Sequence, residues 1–172
     1  MAARIQEAKL TGFPACSTRP EARVRSYQEA FEENRHHVYS LAFWMTDNEQ
    51  AAEELTVNTF CRAFALSPDP DAESVDRALV AELRELMPLG SLTLQCAACS
   101  QVVGLRRNTK RVELERAVVQ LPATERMVFL FHDVERYEHA RISRILGLSE
   151  QESAYGLHQA RLRVREILAA MA

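Results

Sequence analysis

The sequence predicts an all-α protein built from two small helical domains joined by a flexible linker, and three observations carry that prediction. Gly and Pro are scarce, 5 and 6 in 172 residues, while the helix-favouring Ala, Leu, Glu and Arg are abundant. Apolar residues recur at three- and four-residue spacings between breakers, and no alternating strand pattern is present. The one long stretch of weak periodicity, Leu89 to about Asn108, falls between two helical regions.

Taken in order, residues 1–23 contain Gly12, Pro14 and Pro20 and read as a mobile arm. Residues 24–88 form the first domain. Its first helix runs from about Ser26 to Met45, with Phe31, Val38, Leu41, Ala42 and Met45 along one stripe. Thr46-Asp47-Asn48 breaks it, and Asp47 is the expected N-cap of a second helix carrying Ala51, Ala52, Leu55, Thr59, Phe60, Ala63 and Phe64. The short connection predicts an antiparallel hairpin with Phe31, Trp44, Phe60 and Phe64 supplying much of its core, and Cys61 as a small core residue. After the breaker Ser67-Pro68-Asp69-Pro70-Asp71, a third helix spans Ser74 to Met87, with Val75, Leu79, Leu83 and Leu86 on one side.

Residues 89–110 are the expected linker, and 111–172 the second domain. There a helix covers Arg111 to Val119. Pro122 opens another that reaches about Asp133. A short helix, Glu138 to Leu146, stops at Gly147, and Ser149 caps a last long helix with Glu150 and Glu152 in its first turn.

Hydrophobic residues make up 47% and charged residues 26%, the balance of a soluble globular chain. No apolar run approaches the roughly 20 residues of a membrane span, and the first residues lack the apolar core of a secretory signal. The expected location is therefore the cytoplasm. The net charge of −3 is unevenly divided: Gly104–Ala172 carries 12 Lys and Arg against 9 Asp and Glu, a net +3, and Met1–Val103 carries 9 against 15, a net −6. An acidic front and a basic back suggest different partners for each half.

The informative unit is the short helix, the turn Leu146-Gly147-Leu148-Ser149 and the long helix, the layout of a helix-turn-helix. Ile142, Ile145, Leu146 and Leu148 would pack the pair. The outer face of the second helix, with Ser149, Glu152, Ser153, Tyr155, Gly156 and Gln159, could then enter a major groove. Arg141, Arg144, Arg161, Arg163 and Arg165 could neutralise phosphates. The bland alternative is a helical bundle with a solvated basic face.

The run from Leu121 to Leu168 resembles the C-terminal promoter-binding domain of extracytoplasmic-function (group IV) sigma factors. The matching features are Leu121-Pro122, Asp133-Val134-Glu135, the turn Ile142 to Ser149, and Leu157-His158-Gln159-Ala160-Arg161. A second stretch, HHVYSLAFWMTDNEQAAEELTVNTFCRAF (His36 to Phe64), is similar to the N-terminal helical core of the same family. The resemblance implies a sigma factor that binds core RNA polymerase and double-stranded promoter DNA, with an anti-sigma factor as a further partner. It implies a first domain that binds the polymerase clamp and the downstream promoter element, with Glu53, Glu54, Leu55, Val57 and Asn58 on the clamp helix. The second domain would read the upstream element.

Three stretches depart from the family pattern. Val57-Asn58 replaces its Gln-Glu or Gln-Asp pair. The segment SVDRALVAELRELMPLGS lacks its Trp and Asn and carries Asp76, Glu82 and Glu85 instead. Glu152-Ser153-Ala154-Tyr155-Gly156 lacks its Lys and Arg, and a mid-helix glycine costs ~1 kcal/mol relative to Ala. These departures keep two alternatives open: a degenerate sigma-like regulator that binds polymerase or another regulator without initiating transcription, and a stand-alone helix-turn-helix regulator.

Cys96-Ala97-Ala98-Cys99 is the only spacing that suggests a metal or redox pair. Zinc wants four Cys or His ligands, and Cys16, Cys61, His36 and His37 stand at no supporting spacing. No metal or other cofactor is expected. Nor is an enzyme: neither a phosphate loop nor a nucleophile–base arrangement is present. His36, His37 and His158 read as surface or packing residues.

Overall fold

Helix α1 (Pro20–Thr46) begins earlier than the sequence pattern suggested, so residues 20–23 are helical rather than part of an arm. A proline is well placed at such a start, because its missing N–H would lack an intrahelical partner anyway. The structure, a computed structural model, describes residues 20–94 and 110–171. The segment containing Cys96 and Cys99 lies outside the described residues.

Asp47 does not cap α2 (Glu49–Leu66); Asn48 does, its side chain accepting from the Ala51 amide at 2.9 Å. The shift has a physical cause. Asp47 adopts a left-handed conformation (φ 52°) and its N–H closes the end of α1 on the Phe43 carbonyl at 2.7 Å. Asp is one of the few residues with a side chain that tolerates that region, so Asp47 terminates one helix and its neighbour starts the next. Helix α3 (Ala72–Leu86) is capped by Asp71, which accepts from the Ser74 amide at 2.8 Å.

The core of this lobe is aliphatic rather than aromatic. Val38, Leu41, Ala42 and Met45 of α1 meet Ala52, Leu55, Phe60 and Ala63 of α2 and Val75, Ala78, Leu79 and Leu83 of α3, all buried. Of the four aromatics expected there only Phe60 is fully buried. Phe31 is 39% exposed, and Trp44 and Phe64 pack at the margin. Phe31 and Phe64 instead join Phe60 and Tyr27 in a ring cluster that closes the far end of the α1–α2 hairpin, with Tyr27 stacked on Phe64 at 4.4 Å. Cys61 is exposed, not a core residue.

The second lobe contains α4 (Arg111–Val119), α5 (Ala123–Phe129), α6 (His139–Leu146) and α7 (Glu150–Ala170). Helix α5 runs on into a π-helical segment, Leu130–Val134, marked by the bond from the Glu135 amide to the Leu130 carbonyl. Such a segment swings the following residues out of α-helical register, and here it delivers Asp133, Glu135 and Tyr137 to two ion clusters described below. Met127, Val128, Leu130, Phe131, Ile142, Ile145, Leu146, Leu157, Ala160 and Val164 form the core. No strand occurs among the described residues.

The two lobes are packed together, and their buried apolar residues form one contiguous cluster. Two arginines stitch the joint through helix C-termini, where a cation is favoured. Arg126 of α5 donates to the Met45 carbonyl at the end of α1 (3.0 Å) and to the Leu121 carbonyl (2.8 Å). Arg84 of α3 donates to the Leu146 carbonyl at the end of α6 (2.8 Å).

Candidate nucleic-acid interface

The helix-turn-helix is present with the local chemistry its sequence requires. Gly147 takes a left-handed conformation (φ 69°), and the amides of Gly147 and Leu148 both bond back to the Ser143 carbonyl, at 2.8 and 3.1 Å. A left-handed residue just past a helix is what lets the trailing carbonyls find partners in a two-residue turn. Ser149 then caps α7 reciprocally with Glu152: the Glu152 amide donates to the Ser149 hydroxyl (3.1 Å), and the Ser149 amide donates to the Glu152 carboxylate (2.8 Å). The backbone and hydroxyl of Ser149 hold the Glu152 carboxyl below its ordinary value, so it stays ionised at the positive end of the helix dipole. Ser149→Ala is expected to lower stability by about 1 kcal/mol, read as a shift in the denaturant midpoint with an unchanged slope.

The outer face of α7 differs from the expected one. Tyr155 is exposed, as are Gln151, Glu152, Ala154 and His158. Ser153, Gly156 and Gln159, which the sequence pattern put on the groove-facing side, are buried. Ser153 is within 2.9 Å of His139 Nδ1 on α6, so its hydroxyl ties the two helices of the motif together. Leucine and alanine at 157 and 160 drag these neighbours inward, because the buried arc of a helix this well packed is wider than the apolar stripe alone.

Of the five arginines singled out, Arg141, Arg144, Arg161 and Arg163 each have a carboxylate partner. Two pairs lie within the second lobe. Arg161 makes a two-pronged bond to Asp133 (2.5 and 3.0 Å), and Arg163 reaches Glu166 at 3.0 Å. Burial pushes the Asp133 carboxyl up, but Arg161 and His132 outweigh it and hold the group below its ordinary value. The other two pairs cross to α3 of the first lobe: Arg144 bonds Glu73 at 3.1 Å and Arg141 bonds Asp76 at 2.7 Å. The spacing matches, since Glu73 and Asp76 are one turn apart on α3 and Arg141 and Arg144 one turn apart on α6.

A buried polar cluster surrounds the second pair. The Asp76 side chain is 1% exposed and receives both Arg141 and His37 of α1, the latter through Nε2 at 2.8 Å. The other ring nitrogen of His37 lies 3.0 Å from the Glu135 carboxylate. A histidine placed between two carboxylates, one at each nitrogen, must carry both protons. Burial works against that charge, but the bonds to Asp76 and Glu135 prevail and raise its pKa to about 9. Arg141 completes the cluster by lying over the ring of Tyr137, 3.7 Å from its centroid. In the sequence Asp76 stands out only as an acid in a segment that departs from the family pattern, and His37 reads as a surface or packing residue; nothing in the local pattern signals that α1 and α3 bring them to one point opposite α6.

Another such residue is Glu125. It is fully buried on α5, and its carboxylate accepts the amides of Thr93 and Leu94, each at 2.6 Å. The Gly90 amide donates to the adjacent Thr124 hydroxyl at 3.2 Å. Residues 89–94, expected to begin a flexible linker, are thus bonded to the second lobe.

On α2, Glu53, Glu54, Val57 and Asn58 are exposed along one face, with Val57 61% exposed, whereas Leu55 is 4% exposed and belongs to the core.

Residues 111–164 match the family described as sigma-70, region 4. The fold is similar to that of the sigma factor RpoE from Bartonella quintana, solved in complex with the anti-sigma factor NepR. The TM-score is 0.63 at 14% identity, over 86% of this chain and 99% of that one. No curated protein matches the sequence.

Proposed function

We propose that this chain, which carries a sigma-70 region 4 domain within the all-helical fold of an extracytoplasmic-function sigma factor, directs core RNA polymerase to a specific set of promoters. The observation that carries the reading is the helix-turn-helix: a left-handed Gly147, a reciprocal cap at Ser149 and an exposed Tyr155 on the helix that follows, all inside the segment that matches region 4. In this reading α7 enters the major groove of the upstream element with Tyr155 and the exposed residues beside it, while Arg141, Arg144, Arg161 and Arg163 exchange their carboxylates for phosphates. The exposed face of α2, with Glu53, Glu54, Val57 and Asn58, meets the polymerase clamp.

The factor works beside the polymerase in the cytoplasm, and the chemistry of RNA synthesis belongs to the polymerase, so no catalytic residue is assigned. No helix among the described residues is long and apolar enough to cross a membrane. The similar sigma factor was solved with an anti-sigma factor, and a protein of that kind is a natural third partner here.

Run-off transcription from genomic fragments, with purified core polymerase and with or without this protein, tests the reading. Discrete new start sites are expected, and they should disappear when Arg144 and Tyr155 are both changed to Ala. One specific observation favours a second reading: Arg141 and Arg144 are occupied by acids of the same chain. Binding to core polymerase without any initiation would select that reading, a sigma-like regulator that competes for polymerase.

A further inference from the structure

We propose that the segment Leu89–Leu94, together with the acidic edge of α3, is an intramolecular inhibitor that holds the second lobe in a state unable to grip DNA. The inference rests on reading α6 and α7 as a DNA-binding unit. It concerns how that unit is controlled rather than what it is.

The first observation is Gly156. It sits in the middle of the helix that would enter the groove, where a glycine has no local conformational use. A Cβ at that position would come within 2.8 Å of Leu92 Cδ2, closer than side chains pack. The missing side chain is therefore a seat for Leu92, and the segment lies directly on α7. The second observation is Glu125. A fully buried carboxylate is costly unless its oxygens are satisfied, and the donors that satisfy it are the amides of Thr93 and Leu94. Leu92 on Gly156 and the two amides on Glu125 fix neighbouring residues to two helices of one lobe. That is the contact pattern of a ligand rather than of a passing connection.

The third observation is the charge pairing. The carboxylates of Glu73 and Asp76 hold Arg144 and Arg141, with Arg84, about two turns further along α3, bonded to the Leu146 carbonyl at the helix-turn-helix corner. Duplex DNA and α3 would thus compete for the same two guanidinium groups. The apparent affinity for DNA falls by the fraction of molecules that are open.

The double variant Arg84→Ala, Leu92→Asp separates this idea from simple electrostatics. It removes one positive charge and adds one negative, so attraction alone predicts weaker DNA binding. Neither residue is buried in the core of either lobe. Binding of the full chain to a random-sequence duplex of about three helical turns is followed by fluorescence anisotropy at low salt. The expected result is about tenfold tighter binding than wild type, with unchanged helical circular dichroism and a larger radius of gyration in X-ray scattering. Equal or weaker binding by a folded variant would overturn the inhibitor. Should the double variant lose helix content, Arg84→Ala alone serves, with a gain of several-fold expected and the same reading of a null result. Absence of DNA binding by wild type and variants alike would also overturn it, and would count against the DNA-binding reading too. Initiation in the polymerase assay by a chain with no affinity gain on opening would sink only the inhibitor.

Discussion

Asp76→Ala is expected to weaken the joined structure by about 3–5 kcal/mol, the usual result of removing one partner from a buried charge cluster. Asp76 is the acceptor shared by Arg141 and His37. Without it two cations face each other across the lobe joint with only Glu135 to balance them. The Arg141 Nε–H, already without a partner among the described residues, would lose its compensating charge as well. The protein has an escape that a residue deep in a single core lacks: the lobes can part and let both cations hydrate. The loss is therefore capped by the free energy of docking the lobes, and its signature is a change in cooperativity. In urea, wild type is expected to unfold in one transition, and Asp76→Ala in two, with the first at a lower midpoint. Asp76→Asn keeps the shape and one acceptor and should lose roughly half as much. A loss under about 1 kcal/mol with a single transition would mean that the cluster is worth no more than an exposed ion pair.

That expectation separates Asp76 from its neighbour. The Arg144–Glu73 pair spans the same joint, but the arginine side chain is 58% exposed, and such pairs contribute about 0–1 kcal/mol and fade with salt. It therefore adds little to holding the lobes. The buried cluster fixes how the lobes meet, and under the proposed inhibition phosphates would displace the exposed pair more readily than the buried one.

The elements were legible because their signals are local. Arg111 to Val119 and the cap at Ser149 follow from a few adjacent residues, and the all-helical fold follows from composition and spacing. The one-residue error at Asp47 is also instructive. Asp and Asn are both good caps, and only the backbone decides which of the two ends the earlier helix. What the sequence pattern misplaced is non-local. Ser153 and Gln159 are polar and so read as outward, yet the burial of α7 is set by α5 and α6, which a stripe on one helix does not report. His37, Glu125 and Leu92 could not be singled out, since their partners stand 98, 32 and 64 residues away, in Glu135, Thr93 and Gly156. One signal was available: a glycine in the middle of a long helix implies either weakness or close approach, and here it is close approach.

Stability of the closed form is expected to be greatest at the neutral-to-acid side of a window from about pH 6 to about pH 10, and to fall across it by about 2–3 kcal/mol. His37 can satisfy Asp76 and Glu135 together only as the imidazolium. The charged groups facing it are those two carboxylates, the Arg141 guanidinium, and Tyr137, whose hydroxyl is 3.4 Å from Nε2 and is pushed upward by burial and by Asp76, beyond the window. The pKa of about 9 in the closed form exceeds the ordinary 6.5, so the stabilisation is complete below about 6.5 and is lost as pH climbs to about 9. The full shift would correspond to slightly more than the stated range, and the 18% exposure of the ring reduces it. His139 works in the opposite sense. Burial and the neighbouring His132 lower its pKa, so its contribution is present above the ordinary 6.5 and is lost as pH falls below it, on the acid side of the His37 titration. Urea unfolding at a series of pH values checks the slope, and His37→Gln, which can donate to only one carboxylate at a time, should flatten it between about 6.5 and about 9. A slope that survives in His37→Gln would assign the proton to another group and detach the lobe joint from pH. A slope that vanishes, together with lobes that part in wild type at the alkaline end, would make this histidine the proton-dependent pin of the closed form.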